Sequence, residues 1–485
     1  MKKPNILLVV MDSVRAKNMS LYGYTRPTTP FLNKFAEESV VYEQARAPGP
    51  NTLTSSASIF TGSHVPSHGL TNRKKKLRSG NTVWDAVSEE YGYDTGIFSK
   101  NTVLTELPVG LKEPFQEIQN GRNQRLPFKS GVDPKEFLSE DGSPDYRGFI
   151  QESIRRGVPL QSIFNGILLK TNDSIVDLLP DAVTPRDITD GYFTDSVTNW
   201  IGEQTGPWAA CINYMSAHVP YFPKERYNKW AHEGDKSLPE EIGYAAWELQ
   251  EDENAGEKLK KMENLYDGCI LEVDNEVKRL IRGLKQAGEF NNTFLIVMAD
   301  HGEGFGEESH ITDKISTGHG PTGGLHEAVY HVPLIVKPPQ SNEHRSITDL
   351  ASLTEFPQAV EAVINDEWHP ELFIPGSPVV SVTPGIAPFD ADELDGYVDD
   401  VSVFENDGKI VYENTSDAVL KHMKWKDRSV SLRCRDAQVS ERVPETNSGV
   451  IESILRGTGE KDLAVSANEE ISQDTKQRLE DLGYV

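Results

Sequence analysis

Residues 5–11 (Asn-Ile-Leu-Leu-Val-Val-Met) form a nearly continuous apolar run rich in branched side chains. A run with no polar alternation predicts a strand buried on both faces, as in a parallel sheet, rather than a half-exposed surface strand. It ends at Asp12. A second run of the same kind, Thr293 to Met298, ends at Asp300-His301. Between them, Ile270, Val273, Val277, Leu280, Ile281 and Leu284 share one helical face, and Gly288 is a C-terminal stop, so residues 263–300 read as a helix leading into a strand. Shorter strands are predicted over 94–98 and over Trp208 to Tyr214, the latter ending near His218. Helices are predicted over 29–39, where Phe31, Leu32 and Phe35 have helical spacing, and after Thr52. Residues 118–190 are polar, contain Pro and Gly, and are weakly periodic. They read as an insertion over the site, with a short helix near 160–170. From about residue 340 the pattern changes to short alternating strands (409–412, 429–433) with acidic loops. The expectation is an α/β protein with a central, mostly parallel sheet flanked by helices over 1–340, and a small α+β C-terminal subdomain over 341–485.

Composition narrows the function classes. Lys plus Arg number 49 against 75 Asp plus Glu, a net charge of −26. That balance excludes a phosphate-binding basic surface and argues against a nucleic-acid partner. It fits a salt-loving source and an ordinary acidic cytosolic protein equally well. Cys211, Cys269 and Cys434 are too widely spaced for a disulfide framework or a zinc finger. Lys2 and Lys3 precede an apolar run shorter than a signal-peptide core, with no small-residue cleavage site after it. No run approaches the ~20 apolar residues of a membrane span. The expectation is a cytoplasmic protein without a membrane segment.

Two apolar strands that both end in potential metal ligands are the first functional signal, because ligands collect at the carboxyl edge of open α/β sheets. Asp12, Asp300 and His301 offer hard oxygens and an imidazole, a set suited to one divalent ion: Mn²⁺, Mg²⁺ or Ca²⁺, with zinc less suited. An Asp at a strand end is also a common cap or turn former, and a buried His is often structural. The stretch Ala47 to Gly62 is crowded with hydroxyls, and Ser and Thr cap helices for purely structural reasons. Thr52, at a helix start where the dipole favours anions, is the candidate nucleophile; Thr54, Ser55 and Ser56 are chemically able competitors.

These residues resemble a known family. Asn5-Ile-Leu-Leu-Val-Val-Met-Asp12-Ser-Val-Arg15, with Tyr22-Gly23 and Thr29-Pro30, is similar to the first strand and metal loop of sulfatase-like proteins of the alkaline phosphatase superfamily. The Thr52 segment, closed by Thr61-Gly62 and His68-Gly69, resembles their nucleophile motif. Tyr214 to Pro223 resembles a central His-x-Pro-Tyr motif, and Met298 to Gly306 the second metal motif. His319-Gly320, the stretch Leu325 to Leu334 and the ending Arg478 to Tyr484 complete the series in order. The resemblance implies an alkaline-phosphatase-like fold in which Asp12, Thr52, Asp300 and His301 share one divalent cation. It further implies that His218 faces the substrate oxyanion, that His319 protonates the leaving group, and that Lys100 and Asn101 contact substrate.

The departures are informative. Sulfatases carry Cys or Ser, then Pro, then Arg for oxidation to formylglycine; here those positions are Thr52, Thr54 and Ser56. Ser13 stands where many relatives have another metal-binding Asp, and the His218 motif lacks the Asp of two-metal relatives, so one metal is expected. A sulfated threonine lacks the second hydroxyl that expels sulfate from hydrated formylglycine, whereas a phosphothreonine is open to in-line attack. The threonine set resembles that of phosphoglycerol and phosphoethanolamine transferases. The expected activity is therefore phosphoester hydrolysis or transfer on a small-molecule, glycan or lipid ester. A sulfatase without formylglycine and a non-catalytic metal-binding member of the fold are the alternatives.

Overall fold

A computed structural model of the chain describes residues 3–121, 131–132, 134–137, 145–170, 188–239, 248–250, 252–312, 314–318, 323–385, 404–443, 448–457, 463–467 and 475. The strands are β1 (Asn5–Met11), β2 (Val40–Arg46), β3 (Lys75–Leu77), β4 (Asp94–Phe98), β5 (Glu117–Gln119) and β6 (Trp208–Tyr214). They continue with β7 (Thr293–Met298), β8 (Gly304–Glu308), β9 (Ile315–Gly318), β10 (Leu334–Lys337) and β11 (Arg345–Ser352). The last six are β12 (Val379–Thr383), β13 (Gly408–Asn414), β14 (Val419–Trp425), β15 (Arg428–Cys434), β16 (Ser440–Arg442) and β17 (Ala464–Ser466).

The apolar runs become neighbours at the centre of an eight-stranded sheet ordered β11-β2-β10-β7-β1-β6-β4-β5. Only β10 is antiparallel, to both β2 and β7; every other pairing is parallel, as the unalternating runs predict. β1, β6 and β7 are buried along their whole length. Helices cover the sheet, among them Asp190–Glu203, which packs on β6 and on the 33-residue helix Ala255–Ala287. Gly288, in the left-handed conformation, ends that helix as expected.

The helix Thr52–Thr61 follows β2. Asn51 caps it by accepting the Thr54 N–H at 3.1 Å. At its far end Phe60 meets Trp84 edge-on, with ring centroids 5.5 Å apart, and Trp84 in turn packs against Phe115 and Phe356. This aromatic anchor fixes the helix so that its N-terminus stays at the sheet edge.

A second sheet, β12-β13-β14-β15-β16, is antiparallel throughout and carries the helix Ser448–Gly457 against β13 and β14. β11, which follows residue 340, pairs in parallel with β2 and so extends the large sheet. Of the 118–190 stretch, the helices Tyr146–Arg155 and Pro159–Lys170 are described, while 122–130, 133, 138–144 and 171–187 lie outside the described residues. Among the described residues, no helix is long and apolar enough to cross a membrane.

Candidate active site

Four adjacent parallel strands bring their carboxyl ends together. In register, Val10 pairs with Met298 and Asn213, and Ile212 pairs with Phe98, so the ends of β7, β1, β6 and β4 are nearly flush. The turns that follow carry Asp300-His301, Asp12, His218 and Asn101, respectively. Asp12, Asp300 and His301 are fully buried, and one ligand atom from each lies within 4.8 Å of the others.

His301 Nδ1 lies 2.9 Å from the Gly302 carbonyl, which can only accept, so Nδ1 carries the proton. Its Nε2 faces Asp12 Oδ1 at 3.5 Å and Asp300 Oδ2 at 3.7 Å. Three potential ligand atoms thus meet in one buried recess. Asp300 Oδ2 is buried with no hydrogen-bond partner among the described residues. Burial, and then the charge of Asp12, push the Asp300 carboxyl well above the usual carboxylate range. Burial also acts to raise Asp12, but His218, His301, Asn213 and Asn101 outweigh it and hold that carboxyl low. A hard divalent cation among these atoms would let both carboxylates ionise, and two carboxylates with an imidazole are a donor set such an ion takes, so the residues present fit it.

Asp12 is fixed by amides. Its Oδ2 accepts from Asn101 Nδ2 at 2.9 Å and from Asn213 Nδ2 at 3.0 Å, and its Oδ1 from the Ser13 hydroxyl at 3.2 Å. Asn213 Oδ1 accepts from Ser99 Oγ at 2.8 Å, and Ser99 Oγ accepts the Asn101 N–H at 2.9 Å, which ties the ends of β4, β6 and β1 together. Ser13 holds a left-handed φ of 61°, a conformation that non-glycine residues adopt where the surroundings compel it. Beyond it, the buried Arg15 reaches Glu263 at 2.6 Å and Glu307 at 2.5 Å, with its guanidinium 4.8 Å over the Phe305 ring.

The structure places Thr52 beside this cluster. Its hydroxyl donates to Asp12 Oδ2 at 3.4 Å and accepts from Asn101 Nδ2 at 3.3 Å. Two of its competitors have other tasks. Thr54 Oγ1 donates to the Asn51 cap at 2.9 Å, and Ser55 Oγ donates to the Asp300 carbonyl at 2.5 Å. His218 is buried, with Nδ1 2.7 Å from the Val219 carbonyl, and its charge acts on Asp12. Lys100 is half-buried and acts on Asp190, whose carboxylate accepts from the Met215 and Ser216 amides at 2.9 and 2.8 Å. Asn101, expected at the substrate, gives its amide to Asp12 and Thr52. His319 lies outside the described residues. The sequence reading missed Asn213 and Ser99. The signal for Asn213 was there, an amide inside the otherwise apolar run Trp208–Ile212 and Tyr214.

Comparison with known proteins agrees with the geometry. The sulfatase family model matches residues 4–365. An arylsulfatase of Clostridium perfringens is 25% identical over 333 residues, covering 63% of this chain and 64% of that protein. An N-acetylglucosamine-6-O-sulfatase of Bacteroides thetaiotaomicron is 20% identical over 387 residues, covering 73% and 66%. The chain thus spans slightly under two thirds of the length of either relative. Among solved structures, a phosphonate monoester hydrolase from Silicibacter pomeroyi superposes with a TM-score of 0.59 at 17% identity over 94% of each chain, a likeness of fold.

Proposed function

The chain belongs to the sulfatase family and has an alkaline-phosphatase-like fold, and from that premise we propose that it is a metal-dependent hydrolase or transferase that cleaves phosphate esters through a covalent intermediate on Thr52. The observation that carries this reading is the Thr52 hydroxyl, 3.4 Å from Asp12 Oδ2 at the first turn of a ten-residue helix. That position combines a proton acceptor with a helix N-terminus, where an anionic ester is favoured.

In the proposed reaction Thr52 Oγ attacks phosphorus, the ester P–O bond breaks, and the hydroxyl proton passes to the carboxylate it already faces. His218 stabilises the phosphoryl oxygens. His319 gives a proton to the departing alkoxide. Water or an acceptor alcohol then gives its proton to His319 and attacks the phosphothreonine in line, and the threonine oxygen leaves with the proton held on the carboxylate. Asp12, Thr52, Asp300 and His301 would hold the cation, which supplies charge neutralisation and lowers the pKa of the hydroxyl. Sulfate-ester hydrolysis is the second reading, favoured by the activities named for the two sequence relatives.

The test is turnover of p-nitrophenyl phosphate, bis-p-nitrophenyl phosphate and p-nitrophenyl sulfate with Mn²⁺ supplied, together with mass analysis of quenched protein. We expect phosphoester turnover and a gain of about 80 Da on the peptide holding Thr52, the mass of one phosphoryl group. Thr52→Ala should lower turnover by roughly 10³-fold or more, while Thr52→Ser retains much of it. Turnover of the sulfate ester alone rejects the phosphoester reading. Near-normal turnover by Thr52→Ala rejects the covalent one.

A further inference from the structure

Three consecutive carbonyls, those of Val329, Tyr330 and His331, each accept a hydrogen bond from a different loop of the candidate site. The Gly302 N–H donates to Val329 O at 2.7 Å, next to Asp300-His301. The Ala47 N–H donates to Tyr330 O at 2.8 Å, at the start of the loop that leads to Thr52. The Ala16 N–H donates to His331 O at 3.0 Å, just beyond Asp12. The fit is close: a Cβ on Gly302 would lie 2.0 Å from Ala328 O, so that position tolerates only glycine. The three loops come from distant parts of the chain, yet one short segment sets their relative positions.

That segment is itself held by side chains of the C-terminal sheet. Glu327 is paired with Arg46 of β2 at 2.7 Å and with Lys421 of β14 at 2.9 Å, all three side chains being almost wholly buried. Tyr412 of β13 donates to Glu327 Oε2 at 3.2 Å, and Lys421 Nζ also donates to Leu325 O at 2.6 Å. Tyr330 shares a hydrogen bond with Thr383 of β12. β12 also grips the Thr52 loop directly, through Ser381 Oγ to Ala47 O at 2.7 Å and Val382 N to Pro48 O at 3.3 Å.

We propose that the Glu327–His331 segment is a clamp that registers the Asp12, Thr52 and Asp300 loops against one another, and that Lys421 is the positioning residue through which the C-terminal sheet locks it. The link to metal affinity rests on the cation site proposed above; the clamp itself does not. A buried lysine that only filled space could be replaced by an apolar side chain of similar length with little consequence. A lysine that fixes the clamp could not, because freeing Glu327 and Leu325 O lets the three carbonyls shift.

The experiment compares full-length Lys421→Met, Lys421→Arg and Ile451→Ala, the last a cavity in the separate hydrophobic cluster on the other face of the same sheet. Amide hydrogen exchange is followed at Ala16, Ala47 and Gly302, and Mn²⁺ affinity by calorimetry. Lys421→Met should speed exchange at all three amides and raise the Mn²⁺ dissociation constant by roughly tenfold or more, the usual scale for loss of a residue supporting metal ligands. Lys421→Arg should restore most of both, and Ile451→Ala should leave both close to wild type. Wild-type exchange rates in folded Lys421→Met, or equal loosening by Ile451→Ala, overturn the proposal. If Lys421→Met does not fold, Tyr412→Phe removes another hydrogen bond from the sheet to Glu327 without changing charge, and the same exchange rates are read. A wild-type protein that binds no Mn²⁺ removes the metal reading alone, and the exchange rates still decide the clamp.

Discussion

Around Asp12 the groups able to hold a metal are two buried carboxylates and an imidazole, whereas around Glu327 one carboxylate meets a guanidinium at 2.7 Å and an ammonium at 2.9 Å. The two clusters are separated by little more than the Gly302–Val329 hydrogen bond, and both are shut off from water. Glu327 and Asp300 respond in opposite directions. Burial acts to raise Glu327, but Arg46, Lys421 and His331 outweigh it and hold the group well below the usual range. Burial and Asp12 drive Asp300 far above it. A cluster that neutralises itself acts as scaffold. A cluster left short of positive charge invites a cation, which is why perturbed carboxyls in a recess point to a functional site.

The sharpest test of this contrast removes one charge from each cluster. Asp300→Asn should abolish the response to metal and lower turnover by several orders of magnitude, yet raise the melting temperature of metal-free protein, because it deletes a carboxylate that burial disfavours. Glu327→Gln should do the reverse to stability, costing about 3–5 kcal/mol by stranding two buried cations. Thermal melts of both proteins in chelator decide the matter: if the two variants destabilise alike, the clusters are not different in kind. Next in size is the metal itself. Mn²⁺ at about 100 times its dissociation constant should add about 2.7 kcal/mol to wild type and nothing to Asp300→Asn, read as the shift in melting.

The smallest effect is a pH dependence seated in the scaffold. His331 is pushed down to about 3 by burial and then by Arg46, from an ordinary 6.5. The folded state therefore keeps it neutral while the unfolded chain takes up a proton below pH 6.5. Its contribution is fully present above that pH and is lost as the pH falls toward 3. Comparing His331→Gln with wild type at pH 7 and pH 5 isolates this one group, and wild type should lose about 2 kcal/mol more than the variant over that step. Equal losses in urea titrations would mean that His331 is charged in the folded protein and belongs to the ion cluster.

Much of the site was legible along the chain because its carriers are local. An unalternating apolar run specifies a doubly buried strand whatever lies beside it, so Asp12 and Asp300-His301 could be placed at strand ends, and Thr52 at a helix start, from a few residues each. Two such ends are laid flush because parallel strands in register align their carboxyl edges. Asn101 could be placed near the site but not given its partners, since an amide after a strand has the same appearance whether it faces substrate or a carboxylate. The stretch Leu325 to Leu334 was recognisable as a motif, yet its role was hidden. The clamp works through the carbonyls of Val329, Tyr330 and His331, and a backbone carbonyl is the same in every residue. Lys421 and Glu327 likewise sit in separate segments, each reading as a surface charge, and no periodicity links them. Chain-local hydrophobic patterning thus determined the strands, the helix and the ligand-bearing turns. Which amides hold Asp12, and which lysine holds the clamp, only the folded chain decided, because burial converts distant ordinary charges into partners that must find each other.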